Sequence, residues 1–133
     1  MLKQWTDLVL EHNWAYGSKG NALRGKQLLN AITAGGREQA YQPDGYNRFT
    51  IRQFLAPIEQ TAVLCGLRYL PPFVLYGTHR MESPDIQRAA ACYRQLLMGL
   101  RDETVTAETL DQHAVLTPDL IEALFEGVPA HEQ

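Results

Sequence analysis

The residues best suited to chemistry stand at Thr33-Ala34-Gly35-Gly36, where a short apolar run ends in a glycine pair. Glycines just after a strand let backbone N–H groups approach a ligand closely, and such groups can form a concavity that stabilises negative charge. Upstream, Trp14 and Tyr16 lie on a stretch punctuated by Gly17, Gly20 and Gly25, a loop that presents two aromatic side chains. Other reactive types are scattered. Cys65 and Cys92 have no metal-ligand spacing and make no disulfide framework, and each falls in an apolar helical pattern that suits a small core residue. His12, His79, His113 and His131 are isolated, so no metal site is expected and each reads as exposed or singly hydrogen-bonded. The chain holds no Gly-x-Gly-x-x-Gly, no P-loop and no nucleophile elbow.

These residues need elements to position them. Leu2, Trp5, Leu8 and Val9 fall at helical spacing, and no Ser, Thr, Asp or Asn caps that first turn, as if the helix began upstream of Met1. Residues 12–26 read as a loop. Residues 27–33 read as a short, continuously apolar strand closed by Gly35-Gly36, a pattern that fits a buried parallel sheet. A polar loop follows over 37–49. A second helix is predicted from Thr50, its N-cap, to Cys65, with Ile51, Phe54, Leu55, Ile58, Ala62 and Cys65 inward; Pro57 should kink or restart it and Gly66 should cap it. Phe73-Val74-Leu75-Tyr76 reads as the second strand, between Pro71-Pro72 and Gly77. Ser83-Pro84-Asp85 has the composition of a helix start with Ser83 as N-cap. An apolar stripe of Ile86, Ala89, Ala90, Tyr93, Leu96, Leu97 and Leu100 follows. After Arg101 the chain turns acidic; Thr117-Pro118 opens a short last helix carrying Leu120, Ile121, Leu124 and Phe125, and residues 127–133 are expected to fray.

Helices and strands in alternation argue an α/β layer with a parallel sheet. Two strands cannot make that sheet alone, because parallel strands need both faces and both edges covered. The length of 133 residues is that of one domain, and 45% hydrophobic with 20% charged residues is an ordinary globular composition. A net charge of −3 with dispersed basic residues gives no field for nucleic acid. No apolar run reaches the roughly 18 residues of a membrane span, and the N-terminus lacks a signal-peptide layout, so a cytoplasmic protein is expected.

Six short stretches carry a resemblance. Leu2-Lys3-Gln4-Trp5-Thr6-Asp7, Trp14-Ala15-Tyr16-Gly17, Leu23-Arg24-Gly25-Lys26, Ile32-Thr33-Ala34-Gly35-Gly36, Pro57-Ile58-Glu59-Gln60 with Ala62, and Cys65-Gly66-Leu67 with Leu70-Pro71-Pro72 occur in order over about residues 2–100. Together they resemble the flavodoxin-like NAD(P)H:quinone oxidoreductases, most closely the ancillary proteins of glutathione-regulated potassium-efflux systems. The resemblance implies a three-layer parallel sheet, of which residues 1–100 would be the C-terminal half: the fourth and fifth strands with their helices, lacking the first strand and its phosphate-binding loop. Residues 101–133 would be an acidic tail with a short helix.

The resemblance also implies roles. Thr33, Ala34, Gly35 and Gly36 would donate to the pyrimidine edge of FMN (FAD in some members), with Ala34 replacing a second threonine and losing its hydroxyl contact. Tyr41 would sit beside the flavin and polarise the hydride acceptor. Asn47 stands where some quinone reductases carry a proton-relaying histidine, and an amide cannot relay. Trp14 and Tyr16 would wall the substrate pocket, often across a homodimer interface. The reaction would be two-electron reduction of a quinone-like small molecule by NAD(P)H. A potassium-efflux membrane protein at the inner face of the membrane is the implied partner. Two other readings stand beside this one: a non-catalytic partner-binding subunit, and a fragment whose exposed edge at 27–33 invites strand pairing. Without the phosphate loop, the chain alone is expected to bind FMN weakly or not at all.

Overall fold

The β-strands of this chain are two or four residues long and lie next to positions where the backbone must turn, and the turns decide the pairing. The computed structural model describes residues 1–126. The predicted strand over 27–33 forms in two pieces, β1 (Gln27–Leu28) and β2 (Ala31–Ala34). Each pairs in parallel with a piece of the next strand: β1 with β3 (Arg68–Tyr69), and β2 with β4 (Phe73–Tyr76). Two residues separate Leu28 from Ala31, whereas three separate Tyr69 from Phe73, so one extra residue bulges out of the second strand. The cause is in the sequence. Pro71 and Pro72 have no N–H to give the ladder, so donation passes from Leu70 (to the Leu28 carbonyl, 2.9 Å) straight to Phe73 (to the Asn30 carbonyl, 2.8 Å).

Helices cover both faces of this ladder. Thr50 caps α2 (Ile51–Phe54), its hydroxyl accepting from the Gln53 N–H at 3.2 Å. The helix breaks at Leu55 and restarts as α3 (Ala56–Leu64), with Pro57 in the first turn, as the sequence predicts. Ile51 and Leu55 pack with Ala34 and Val74 on this side of the sheet. On the other side lies α4 (Ser83–Arg101), whose inner face is Ala89, Cys92, Leu96 and Gly99. Its start differs from expectation. Glu82, not Ser83, is the N-cap, its N–H donating to Asp85 Oδ2 at 3.0 Å. Several expected core positions are also exposed: Phe54, Ile86, Ala90 and Leu97. For α4 the reason is that the buried face is narrow and built of small residues; a Cβ on Gly99 would press on the Phe125 ring.

The acidic segment after Arg101 folds back on α4. Within it, α5 (Ala107–Leu110) and α6 (Pro118–Glu126) form, where the sequence predicts one short helix. Val105, Leu110, Leu116 and Ile121 join Phe73, Cys92 and Leu96 in one buried cluster. Hydrophobicity alone accounts for this: a charged exterior does not prevent an apolar stripe from being buried. Leu116 also closes an edge, donating to the Pro72 carbonyl at 2.8 Å and accepting from the Val74 N–H at 2.7 Å. Thus β4 is paired on both sides and covered on both faces, the environment a parallel strand requires. Two exposed ion-pair groups lash the segment down: Arg68 with Glu108 and Asp111, and Arg88 with Asp119 and Glu122. The fraying expected of 127–133 lies outside the described residues. By contrast α1 (Leu2–Val9) buries nothing and has no capping side chain.

Two outcomes are expected. Ile121→Ala should cost about 2–5 kcal/mol in urea denaturation and shift a single transition, since the side chain is fully buried in the main cluster; a loss confined to a separate minor transition would show that α6 is not part of that core. Bonding to Arg68 holds the Glu108 carboxyl down at about 2 from its ordinary 4.5. A depressed carboxylate stabilises the fold above its unfolded-state value, and that contribution is lost as pH falls through the folded one. Arg68→Met should therefore flatten the acid side of the stability profile between about pH 4.5 and 2, read by thermal melts.

Candidate functional site

Parallel strands deliver their ends to the same side, and here β2 and β4 bring two loops together. Gly36 accepts from the Gly77 N–H at 2.9 Å, and Thr78 Oγ1 donates to the Ala34 carbonyl at 3.4 Å. Gly77 makes the turn possible with φ of +72°, a left-handed conformation that glycine takes without strain. The Gly35 and Gly36 N–H groups donate to no partner among the described residues. A strand-end turn carrying two free N–H groups is an electropositive lip able to receive an electron-rich ligand edge.

Tyr41 ends a short 3-10 helix, Glu38–Tyr41, directly beyond this lip. A Cβ built on Gly36 would lie 3.2 Å from Tyr41 Cε2 and 3.6 Å from its hydroxyl oxygen, so glycine here lets the phenol lie against the loop. Phe54 meets the ring edge-on at 6.3 Å and Tyr76 tilts against it at 5.8 Å. This explains the exposed Phe54: it supports Tyr41 rather than the sheet. Burial pushes the Tyr76 phenol up to about 12, with Glu38 and then Tyr41 adding smaller effects, so Tyr76 keeps its proton. Asn47 closes the loop that carries Tyr41, its N–H donating to the Ala40 carbonyl at 2.9 Å.

Of the residues singled out in the sequence, Thr33, Ala34, Gly35, Gly36 and Tyr41 are gathered at one end of the sheet. Ala34 is buried under α2, and Thr33 is exposed on the opposite face. Trp14 and Tyr16 are placed differently. Tyr16 lines a cleft of about 590 Å³ between α1 and α3, together with Phe54, Ile58 and Leu64; Trp14 is 46% exposed and outside that lining. His79 is the residue the sequence reading missed. It lies three positions beyond the end of β4, and a Cβ built on Gly35 would overlap its imidazole Nε2. Its position at the carboxyl end of a strand pairing with β2 was the available signal, and isolation in sequence hid it.

Known proteins are similar to this chain in sequence and in fold. The ancillary protein KefF of the glutathione-regulated potassium-efflux system of Klebsiella aerogenes is 41% identical over 102 residues, covering 77% of this chain and 56% of that protein. The solved structure of an NADPH-quinone reductase from P. pentosaceus is 32% identical, with a TM-score of 0.64 over 71% of this chain and 56% of that one. General stress protein 14 of Treponema denticola, solved in complex with FMN, is 43% identical, with a TM-score of 0.55 over 56% of this chain and 43% of that one. This chain spans about half the length of the curated relatives it matches. Residues 1–97 match the flavodoxin-like fold family, and with a parallel ladder layered between helices the chain belongs to that family.

Proposed function

We propose that this chain forms part of an NAD(P)H-dependent FMN oxidoreductase that reduces quinones by two electrons. One observation carries the reading: the Gly35 and Gly36 N–H groups meet no acceptor among the described residues at the carboxyl end of the sheet, where open α/β sheets bind their ligands. The residues fit FMN. Two N–H donors beside a phenol suit the pyrimidine edge of an isoalloxazine, and Gly36 leaves the space that Tyr41 needs. Thr33, Ala34, Gly35 and Gly36 would hold that edge. FMN, when bound, would supply the hydride chemistry between NAD(P)H and the acceptor. The chain's own residues bind and orient. Fixed N–H dipoles favour added negative charge at the ring edge, and Tyr41 donates a hydrogen bond that polarises a quinone oxygen. Trp14, exposed on its loop, and the half-buried Tyr16 would wall the pocket of a second copy in a homodimer. The FMN-bound and NADPH-quinone reductase relatives support this reading.

A second reading has its own support. Leu2, Trp5 and Leu8 on α1 are all more than half exposed, a row of apolar residues that suits a protein partner. The likeness to KefF makes a potassium-efflux membrane protein the partner to test, with this chain peripheral at the inner, cytoplasmic face of the membrane. No helix among the described residues is long and apolar enough to cross a membrane. In this role the chain would bind its partner without turning over quinone.

Titrating FMN into the 133-residue chain should give weak but saturable shifts of the flavin absorbance, abolished in Gly36→Val. With FMN saturating, Tyr41→Phe should keep FMN affinity within about twofold and slow quinone reduction by about 100-fold. Unsaturable flavin spectra would remove the enzyme reading and leave the partner-binding one.

A further inference from the structure

Reduction of a quinone to a hydroquinone consumes a hydride and a proton: NAD(P)H, H⁺ and quinone give NAD(P)⁺ and hydroquinone. The hydride has a source in the proposed chemistry; the proton must come from a group at the strand ends that solvent can recharge. Four side chains there can be compared. Tyr76 holds its proton too firmly. Asn47 has no ionisable proton, and Thr78 is committed to the Ala34 carbonyl. Tyr41 is partly enclosed by Phe54 and Tyr76. His79 differs from all of these. Its imidazole rests directly on Gly35 yet is exposed, and imidazole is the side chain whose charge changes around neutral pH.

The geometry points to His79 as the proton donor of this site. The assignment rests on the flavin reading given above. Its imidazolium gives one proton to the quinone oxygen as the hydride reaches the ring, and the neutral imidazole then regains a proton from water. The turn that carries it is fixed to the glycine loop by the Gly77–Gly36 and Thr78–Ala34 hydrogen bonds, so the ring is positioned by the same ladder that positions the free N–H groups. The charged groups on the neighbouring segments are Arg37 and Glu38 on the loop after β2, and Arg80 beside His79. They bear both signs. A Cβ at Gly35 would take the space of the imidazole, which explains glycine at a position with no positive φ.

The first test does not need turnover. The Cε1–H proton resonance of His79, assigned by its loss in His79→Gln, is followed while FMN is added to the full chain. It should move on the same saturation curve as the Gly35 and Gly36 amides. Movement of those amides with a stationary His79 resonance overturns the assignment alone. Stationary amides overturn the flavin reading and the assignment with it. In turnover with saturating FMN, His79→Ala should lose about 100-fold in kcat with KM within about twofold, and added imidazole should restore part of the loss. An undiminished kcat, or a loss that imidazole leaves untouched, counts against proton donation and leaves His79 a packing residue.

Discussion

The parallel pairing of Ala31–Ala34 with Phe73–Tyr76 is the constraint on which the other features depend. It fixes which way side chains face. Ile32, Ala34, Val74 and Tyr76 turn toward α2, whereas Phe73 turns toward α4 and α6. Both helical layers therefore take their positions from one ladder. The same pairing ends two strands together, so the glycine loop and the Gly77 turn meet, and the Gly77–Gly36 and Thr78–Ala34 hydrogen bonds join them. A site built this way is precise because it borrows rigidity from strands rather than from loops.

Packing, rather than charge, holds the acidic C-terminal segment in place. Its ion pairs join exposed groups, and such pairs contribute about 0–1 kcal/mol each. Burying Leu110, Leu116 and Ile121 completely removes three large apolar side chains from water, at roughly 1.5–3 kcal/mol each before ordering costs. The arginines give α5 and α6 their register. Leu116 adds something that neither charge nor area provides, a backbone partner for the far edge of β4.

Much of this was legible in the sequence because it is local. The Thr50 cap, the restart at Pro57 and the strand at Phe73 follow from conformational limits that act within a few residues. The resemblance located the glycine loop and Tyr41. What escaped depended on contacts distant in sequence. Phe54 fits the inward stripe of α2 but is drawn to Tyr41. Charge between Arg101 and Glu126 conceals an apolar stripe that has meaning only once α4 is beside it. His79 has no patterned neighbours, and its setting against Gly35 is created by pairing between strands some forty residues apart.

The proline bulge carries a consequence for how this fold can change. Leu28 and Ala31 are an odd number of positions apart and Tyr69 and Phe73 an even number, so the bulge at Pro71-Pro72 is what keeps the two strands in phase on either side of it. Removing one proline would restore equal spacing within the observed register, straightening the bulge and leaving Val74 toward α2 and Phe73 toward α4. A residue added there would need a second bulge to keep those faces. Without it, an insertion that an ordinary loop absorbs would here exchange the contents of the two cores. Insertions among descendants of this chain should avoid residues 70–72 and collect in the loop after Gly36, where no such parity is kept.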